Sequence, residues 1–395
     1  MTPLARRIGE LFSDDEVAWL SGVRRDLHRH PELSWREEGT AARLESALTA
    51  LGATQVSRVA RTGVMARMPG RRPGGPAVAI RGDIDALPIQ EATGLPFTSE
   101  VPGVMHACGH DVHATWAVGA AMLLRKVPAE GDVVILLQPA EEAAEGAAAV
   151  LESGALDGVS AIFGGHVDRR YQVGQVVAQV GPVAASADFF EIEITGAGGH
   201  GARPHECADP IVGAGALIVA IQTLIARRLD PAVPGVVTVA TVHAGTADNI
   251  IPDRATLTGT VRAVDPGSRA FLLEELRHLS EGVAAAHRLS ARVTFAQGTP
   301  PIVNLPGPTA WASEAIGAVL GAGAEVPLAG TNMGGEDFAF YLERMPGCFL
   351  RIGAREPGGA WLPAHSPGFY AAEESVFVGA AVLAETARRA SAALP

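Results

Sequence analysis

The chain has 395 residues, 48% hydrophobic and 19% charged, with a net charge of −12. That length suits two domains with sizeable cores, and the composition excludes a disordered chain. The acidic balance without a long basic run argues against nucleic acid or an anionic membrane as partner. The odd number and wide spacing of Cys108, Cys207 and Cys348 imply no disulfide framework and fit a reducing compartment.

At the N-terminus, Arg6 and Arg7 are followed by Gly9, Glu10, Asp14, Asp15 and Glu16, so no apolar region of a secretory signal forms and a cytoplasmic location is expected. Asp14 or Asp15 can cap a helix running towards His28. Glu37 to Leu51 repeats apolar residues at helical spacing until Gly52 stops it. Ala77 to Ile80, Val133 to Leu137 and Ala161 to Phe163 are short apolar runs that read as buried strands. Each delivers polar residues at its C-terminal end: Arg81-Gly82-Asp83-Ile84-Asp85, Gln138-Pro139-Ala140-Glu141-Glu142 and Gly164-Gly165-His166. In open α/β sheets that edge is where sites form. Helices over His113 to Lys126 and Glu145 to Ser153 alternate with them.

The texture changes near Ala185. Phe189 to Ile194, Val236 to Val242 and Ala255 to Val261 alternate as strands, and Arg292 to Phe295 is a further strand. Helices follow Pro210 and span roughly Gly267 to Arg288. No run of about 18 uncharged apolar residues marks a membrane span. The longest apolar stretch, Ile211 to Ala226, contains Gln222 and reads as a buried or packed helix. The strand–helix–strand–strand–helix–strand order suits a small α+β sandwich. After Pro300-Pro301 the chain returns to the first domain with a helix over Thr309 to Leu320, a strand over Cys348 to Ile352 and a closing helix from Glu373 to Ala393. The expected fold is α/β: a catalytic domain of residues 1–184 and 298–395 with a mostly parallel sheet flanked by helices, interrupted by an α+β domain of residues 185–297.

Met105-His106-Ala107-Cys108-Gly109-His110-Asp111 is the densest chemical motif. A cysteine and a histidine two apart in a glycine-bearing turn can grip one metal ion, and Asp83, Asp85, His106, Asp111 and His113 crowd the same region. A buried polar cluster of this density requires something to pair it. The bland readings are an inert buried thiol or a thiol nucleophile paired with histidine. Glu141 and Glu142 follow an apolar strand and Pro139 at a sheet edge rather than on an open helix face. Their side chains diverge, so one can bind metal while the other takes a proton from water. His166 among glycines and His365 before Ser366-Pro367 add isolated histidines. Gly196-Ala197-Gly198-Gly199-His200-Gly201 lacks the Lys-Ser/Thr ending of a phosphate loop.

These motifs resemble the amidohydrolase branch of the dinuclear metallopeptidases, which includes hippurate hydrolases, N-acyl-amino-acid hydrolases and auxin-conjugate hydrolases. The resemblance covers nearly the whole chain. It runs from Arg24-Arg25-Asp26-Leu27-His28-Arg29-His30-Pro31-Glu32-Leu33 to His365-Ser366-Pro367-Gly368-Phe369, through Arg81 to Pro88, Met105 to His113, Gly198-Gly199-His200 with Pro204-His205, Asn249-Ile250-Ile251-Pro252 and Gly335-Glu336-Asp337-Phe338. The resemblance implies five metal ligands, Cys108, His110, Glu142, His166 and His365, with the cysteine bridging two divalent ions. It makes Glu141 the general base and Asp85 the residue that orients a ligand histidine. It also implies a homodimer or homotetramer joined through the inserted domain, with His200 reaching across the dimer to the oxyanion and Asn249 and Arg262 holding substrate. The chain departs from the family pattern at Gly165, where most relatives carry a bulkier residue, and at Asp168-Arg169-Arg170-Tyr171.

The expected activity is hydrolysis of the amide bond of a small-molecule N-acyl-amino acid by a metal-activated water. Two divalent ions per chain are expected, and the donor set suits zinc, manganese, nickel or cobalt. A dipeptidase or carboxypeptidase of the same architecture is the rival among enzymes. A non-catalytic binding protein is the rival from another class, and the extra carboxylate of Glu141 argues against it.

Overall fold

The computed structural model describes residues 3–395, save the side chains at 3 and 297. The chain divides into two compact units. One comprises the chain up to Gly181 with Asn304–Ala329 and Phe340–Pro395, and the other Pro182–Val303 with Gly330–Ala339.

The first unit is built on a seven-stranded sheet. In spatial order its strands are Thr54–Val59, Gly63–Met68, Val133–Gln138, Ala77–Asp83, Val159–Gln172, Gly347–Arg355 and Val176–Val177. The middle four run parallel, and antiparallel strands close both edges. Ala77–Asp83 and Val133–Gln138 are buried at every position, as continuous apolar runs require when both faces are covered. Helices His110–Lys126 and Glu374–Ala393 pack on each other and against this sheet, and helix Asp14–Arg29 packs on His110–Lys126. Their shared core includes Leu20, Leu27, Ile80, Trp116, Ile135, Phe163, Leu350 and Val382.

The second unit is a four-stranded antiparallel sheet in the order Gly235–Ala244, Arg254–Ala263, Ala187–Thr195, Ser290–Thr299. Phe190, Ile192 and Ile194 turn inwards on one strand while Phe189 and Glu191 face out. Helices Pro210–Thr223 and Pro266–Ala286 cover the inner face, supplying Leu217, Ile221, Leu272 and Leu276 to the core.

Several elements differ from the reading of the sequence. Ser13 caps the first long helix, not Asp14 or Asp15. The Ser13 hydroxyl accepts the Glu16 N–H and the Glu16 carboxylate accepts the Ser13 N–H, a reciprocal pair that only the residue three before Glu16 can make. The hairpin Thr54–Val59/Gly63–Met68 goes unread because its first strand is polar and largely exposed. The helix expected from His113 begins at His110, since Gly109 takes a left-handed φ of 86° at the cap. The strand expected to end before His166 continues to Gln172, because Gly347–Arg355 pairs with it through Gly164, Gly165 and His166. The apolar helix near Ile211 buries one side only; Ile211, Val212 and Val219 face out.

Gly379 marks a tight contact between helices Glu374–Ala393 and His110–Lys126 in the first core. A Cβ there would lie 2.4 Å from the indole of Trp116, which is fully buried. Alanine would gain about 1 kcal/mol in helix propensity. Overpacking against a ring that cannot move costs more, so Gly379→Ala is expected to lower stability by a net of about 1–2 kcal/mol. Urea unfolding measures this, and unchanged or raised stability would show that Trp116 can yield.

Candidate metal centre

The sheet of the first unit delivers its polar residues from three adjacent parallel strands. Asp83 ends one, the Glu141-Glu142 turn follows the next, and His166 lies on the third. Cys108 and His110 come from the loop and first turn of helix His110–Lys126, and His365 from the segment after strand Gly347–Arg355.

These side chains converge. The donor atoms of Cys108, His110 and His166 lie within 4.8 Å of one another, and so do those of Cys108, Glu142 and His365. Cys108 belongs to both groups. Its Sγ is 3.1 Å from His166 Nε2, and His365 Nε2 is 3.3 Å from Glu142 Oε1. His110 Nε2 lies 3.9 Å from a carboxylate oxygen of Glu141 and of Glu142.

The imidazoles are held from behind. His110 Nδ1 pairs with Asp85 Oδ1 at 3.2 Å, and His166 Nδ1 donates to the Val167 carbonyl at 2.7 Å. Both therefore present Nε2 to the cluster, the outer contact that ligand histidines need. Asp85 also accepts the Ser34 hydroxyl at 2.7 Å and the Glu142 N–H at 3.0 Å. His110 Nε2 is buried without a hydrogen-bond partner. Such groups are costly to leave bare, and thiolate, imidazole and carboxylate donors at this spacing fit a cation. With one cysteine common to two groups, they fit a pair of cations.

Protonation follows from burial and neighbouring charge. Burial, joined by the Glu142 charge, pushes the Cys108 thiol up. Burial alone would lower His110, but the Asp83 charge and the Asp85 hydrogen bond hold it well above the usual histidine range. Hydrogen bonds to Cys108 and Glu142 push His365 up to about 10. Burial, with His113 beside it, holds His166 well below the usual range and so neutral.

The structure thus brings together Cys108, His110, Glu142, His166, His365, Glu141 and Asp85. The other candidates lie in the second unit. His200, exposed, pairs by backbone with Ile250, and Gly201 N–H donates to the Asn249 carbonyl at 2.8 Å, so His200 and Asn249 are neighbours. Arg262 lies on strand Arg254–Ala263 with its guanidinium 5.8 Å from the centre of the Phe189 ring.

Reading the sequence missed the supports. Glu37, fully buried, accepts the Ala140 N–H at 2.9 Å just before Glu141. Arg24 Nε and His28 Nδ1 each lie 2.8 Å from Asp111 Oδ2, one residue past His110. Arg24 and His28 stand in the motif that opens the resemblance, and an arginine and a histidine four apart on one helix face were the available signal. Gly165 fits its place in the ladder, since a Cβ there would lie 3.0 Å from the Leu350 carbonyl oxygen.

The sequence pattern of peptidase family M20/M25/M40 matches residues 79–389. An N-acetylcysteine deacetylase of Bacillus subtilis (strain 168) is 42% identical over 375 residues, covering 93% of this chain and 96% of the relative. A thermostable carboxypeptidase of Saccharolobus solfataricus is 36% identical over 369 residues, covering 92% and 93%. A crystal structure of a dinuclear metal-binding M20 peptidase of Bacillus subtilis superimposes with a TM-score of 0.87 at 40% identity, covering 97% of this chain and all of that one.

Burial and neighbouring groups favour the protonated forms of Cys108, His110 and His365 in the metal-free protein, and a cation held by these candidate donors would displace those protons. Zinc binding to metal-free protein is therefore expected to release protons and to tighten as pH rises towards 10, the value to which His365 is raised. Calorimetric titration in buffers of different ionisation enthalpy counts them. Cys108→Ala should release fewer, and a heat independent of buffer would refute this assignment of donors.

Proposed function

The chain belongs to peptidase family M20/M25/M40, as a metal-dependent hydrolase of amide bonds, and from that premise we propose that it cleaves N-acyl-amino acids to a carboxylate and a free amino acid. One observation carries the reading: Cys108 is shared by two donor groups, and Glu141 stands beside them as a carboxylate in excess of the ligands. The sequence likeness to an N-acetylcysteine deacetylase favours a small acyl group on the substrate.

In this reading Cys108, His110, Glu142, His166 and His365 hold two divalent ions, of zinc, manganese, nickel or cobalt. The ions, when bound, supply a Lewis acid for the scissile carbonyl and acidify a water molecule. Glu141 takes the proton of the attacking water and passes it to the departing nitrogen. Asp85 fixes the His110 ring so that Nε2 stays aimed at the cluster. His200 of the partner subunit donates to the tetrahedral oxyanion, a role worth about 10²–10³ in rate. Asn249 and Arg262 bind the substrate carbonyl or carboxylate.

The proposal includes a homodimer formed by the inserted unit. Gly235–Ala244 is an edge strand of its sheet with most residues exposed, so its outer backbone groups are open to a second strand. Helix Pro210–Arg228, long and apolar enough to cross a membrane, buries one side in the core of this unit and turns Ile211, Val212 and Val219 outwards. An outward apolar stripe of this kind suits a protein partner. The three cysteines are free thiols, which suits our assignment to a reducing cytoplasm.

The likeness to a carboxypeptidase favours a second reading, cleavage of a C-terminal residue from a peptide. A screen of N-acetyl and N-benzoyl amino acids beside free dipeptides on metal-loaded enzyme separates the two. Faster turnover of free dipeptides would reject the N-acyl reading.

Glu141→Gln is expected to retain its metal by elemental analysis and to lose turnover by about 10² or more. Near-normal turnover with full metal would place the base elsewhere.

A mixture of inactive Glu141→Gln and inactive His200→Ala proteins is expected to regain activity once subunits exchange. The heterodimer contains one site with both residues intact. An inactive mixture with exchange verified by mass spectrometry would rule out His200 as a residue acting across the dimer.

A further inference from the structure

The strand that carries His166 continues through Asp168, Arg169 and Arg170. Arg169 is 2% exposed. A buried guanidinium has only donors and must find carbonyls or carboxylates for them. The two terminal nitrogens of Arg169 find them around one stretch of chain, residues 356–373, which joins strand Gly347–Arg355 to helix Glu374–Ala393 without helix or strand of its own. Its Nη1 donates to the carbonyls of Ala354 at 3.3 Å and Tyr370 at 2.9 Å and to the Glu356 carboxylate at 3.0 Å. Its Nη2 donates to the Ala360 carbonyl at 2.7 Å and to the other Glu356 oxygen at 3.3 Å. The guanidinium also lies over the Tyr370 ring, 4.4 Å from its centre, and the Tyr370 hydroxyl donates to Glu356.

These contacts clamp both ends of the segment that presents His365. Ala354, Glu356 and Ala360 lie where the chain enters it, and Tyr370 where it leaves. Its tip is tied elsewhere. The His365 N–H donates to the Ala107 carbonyl at 2.9 Å, next to Cys108, and the Pro367 carbonyl accepts the Ala92 N–H at 2.8 Å. His365 itself holds a left-handed φ of 61°, a conformation that persists only when its surroundings impose it. Its side chain is 54% exposed, against 1% for His110 and 11% for Glu142. Side-chain packing therefore fixes His365 least, and the path of its backbone fixes it most.

We infer that Arg169 is a positioning residue for His365: it latches the base of the 356–373 segment so that the imidazole arrives beside Cys108 and Glu142 already ordered. The inference rests on the reading of His365 as a metal ligand. Without the latch, the segment loses its conformational freedom only when metal binds, and that entropy is subtracted from affinity. Lysine cannot replace the latch, because a single ammonium lacks the planar fork that reaches carbonyls and carboxylate together.

The test is zinc titration of metal-free protein against a chromophoric chelator, in Arg169→Gln, Arg169→Lys, Glu356→Gln, His365→Ala and the double variant Arg169→Gln/His365→Ala. Arg169→Gln, Arg169→Lys and His365→Ala are each expected to weaken one of two zinc sites by about tenfold or more and to spare the other. The double variant is expected to be no weaker than His365→Ala alone, because Arg169 acts through that side chain. Glu356→Gln removes the charge and one of the two acceptor oxygens of a latch partner whose side chain is 35% exposed, and it is expected to weaken the same site by a smaller factor even where the Arg169 variants fail to fold. Equal weakening of both sites, full additivity in the double variant, or unchanged affinity in the Arg169 and Glu356 variants while His365→Ala loses its site would each overturn the latch alone. Unchanged zinc affinity in His365→Ala would overturn the ligand reading itself, and the latch with it.

Discussion

Asp85 is the residue to which the rest of the centre is referred. One buried carboxylate accepts the Ser34 hydroxyl from the N-terminal segment, the Glu142 N–H from the turn after a central strand, and the His110 ring from the start of a helix. Burial alone would raise its pKa, but the hydrogen bonds from His110, Ser34 and Glu142 hold it below the usual carboxylate range, so it stays charged. A charged acceptor makes stronger and shorter bonds than a neutral one. Three remote pieces of chain are thereby fixed to a single point, and the spacing of Cys108, His110 and Glu142 follows from it.

A second buried frame stands behind the first. Asp83 pairs with Arg81 and with His113 Nδ1, and His113 Nε2 accepts the Val167 N–H at 2.9 Å. A backbone N–H can only donate, so the ring must be the tautomer that carries its proton on Nδ1 and gives it to Asp83. This chain of bonds ties the strand carrying His166 to the neighbouring strand that ends at Asp83. The Arg24–Asp111–His28–Glu91 group does the same on the helix side, anchoring the first turn of helix His110–Lys126. Within both networks each buried charge has an opposite charge or a hydrogen bond. Among the orphaned buried atoms, His110 Nε2 lies at the centre that the networks surround, where a cation would meet it.

Two of the eight left-handed non-glycine residues among those described fall at the centre. Ala140 has a φ of 53° immediately before the Glu141-Glu142 pair, and His365 one of 61°. Each outlier costs of order 1–3 kcal/mol and needs outside support. Glu37 supports the first by accepting the Ala140 N–H, and the carbonyl of Ala107 supports the second. Burial raises the Glu37 pKa, the cost of placing a carboxyl group there to hold the Ala140 N–H and the Thr62 hydroxyl.

Much of this was legible in the residues. Continuous apolar runs ending in Asp83, Gln138 and the glycines before His166 marked parallel strands with a polar edge, because a strand covered on both faces has no other pattern open to it. Alternation in Phe189 to Ile194 marked a sheet with one open face. Cys108, His110 and the Glu141-Glu142 pair stood out as candidate metal donors, since their donor chemistry and turn context are local properties. What the chain did not disclose is which distant groups would share a hydrogen bond. That Asp85 reaches Ser34, that His113 locks onto the Val167 N–H, and that Arg169 clasps Glu356 and Tyr370 depends on contacts between segments up to about 200 residues apart. Local sequence sets the type of each element through its period and its caps. Only the packed sheet decides which buried donor meets which acceptor, because that pairing is forced by exclusion of water from a closed core.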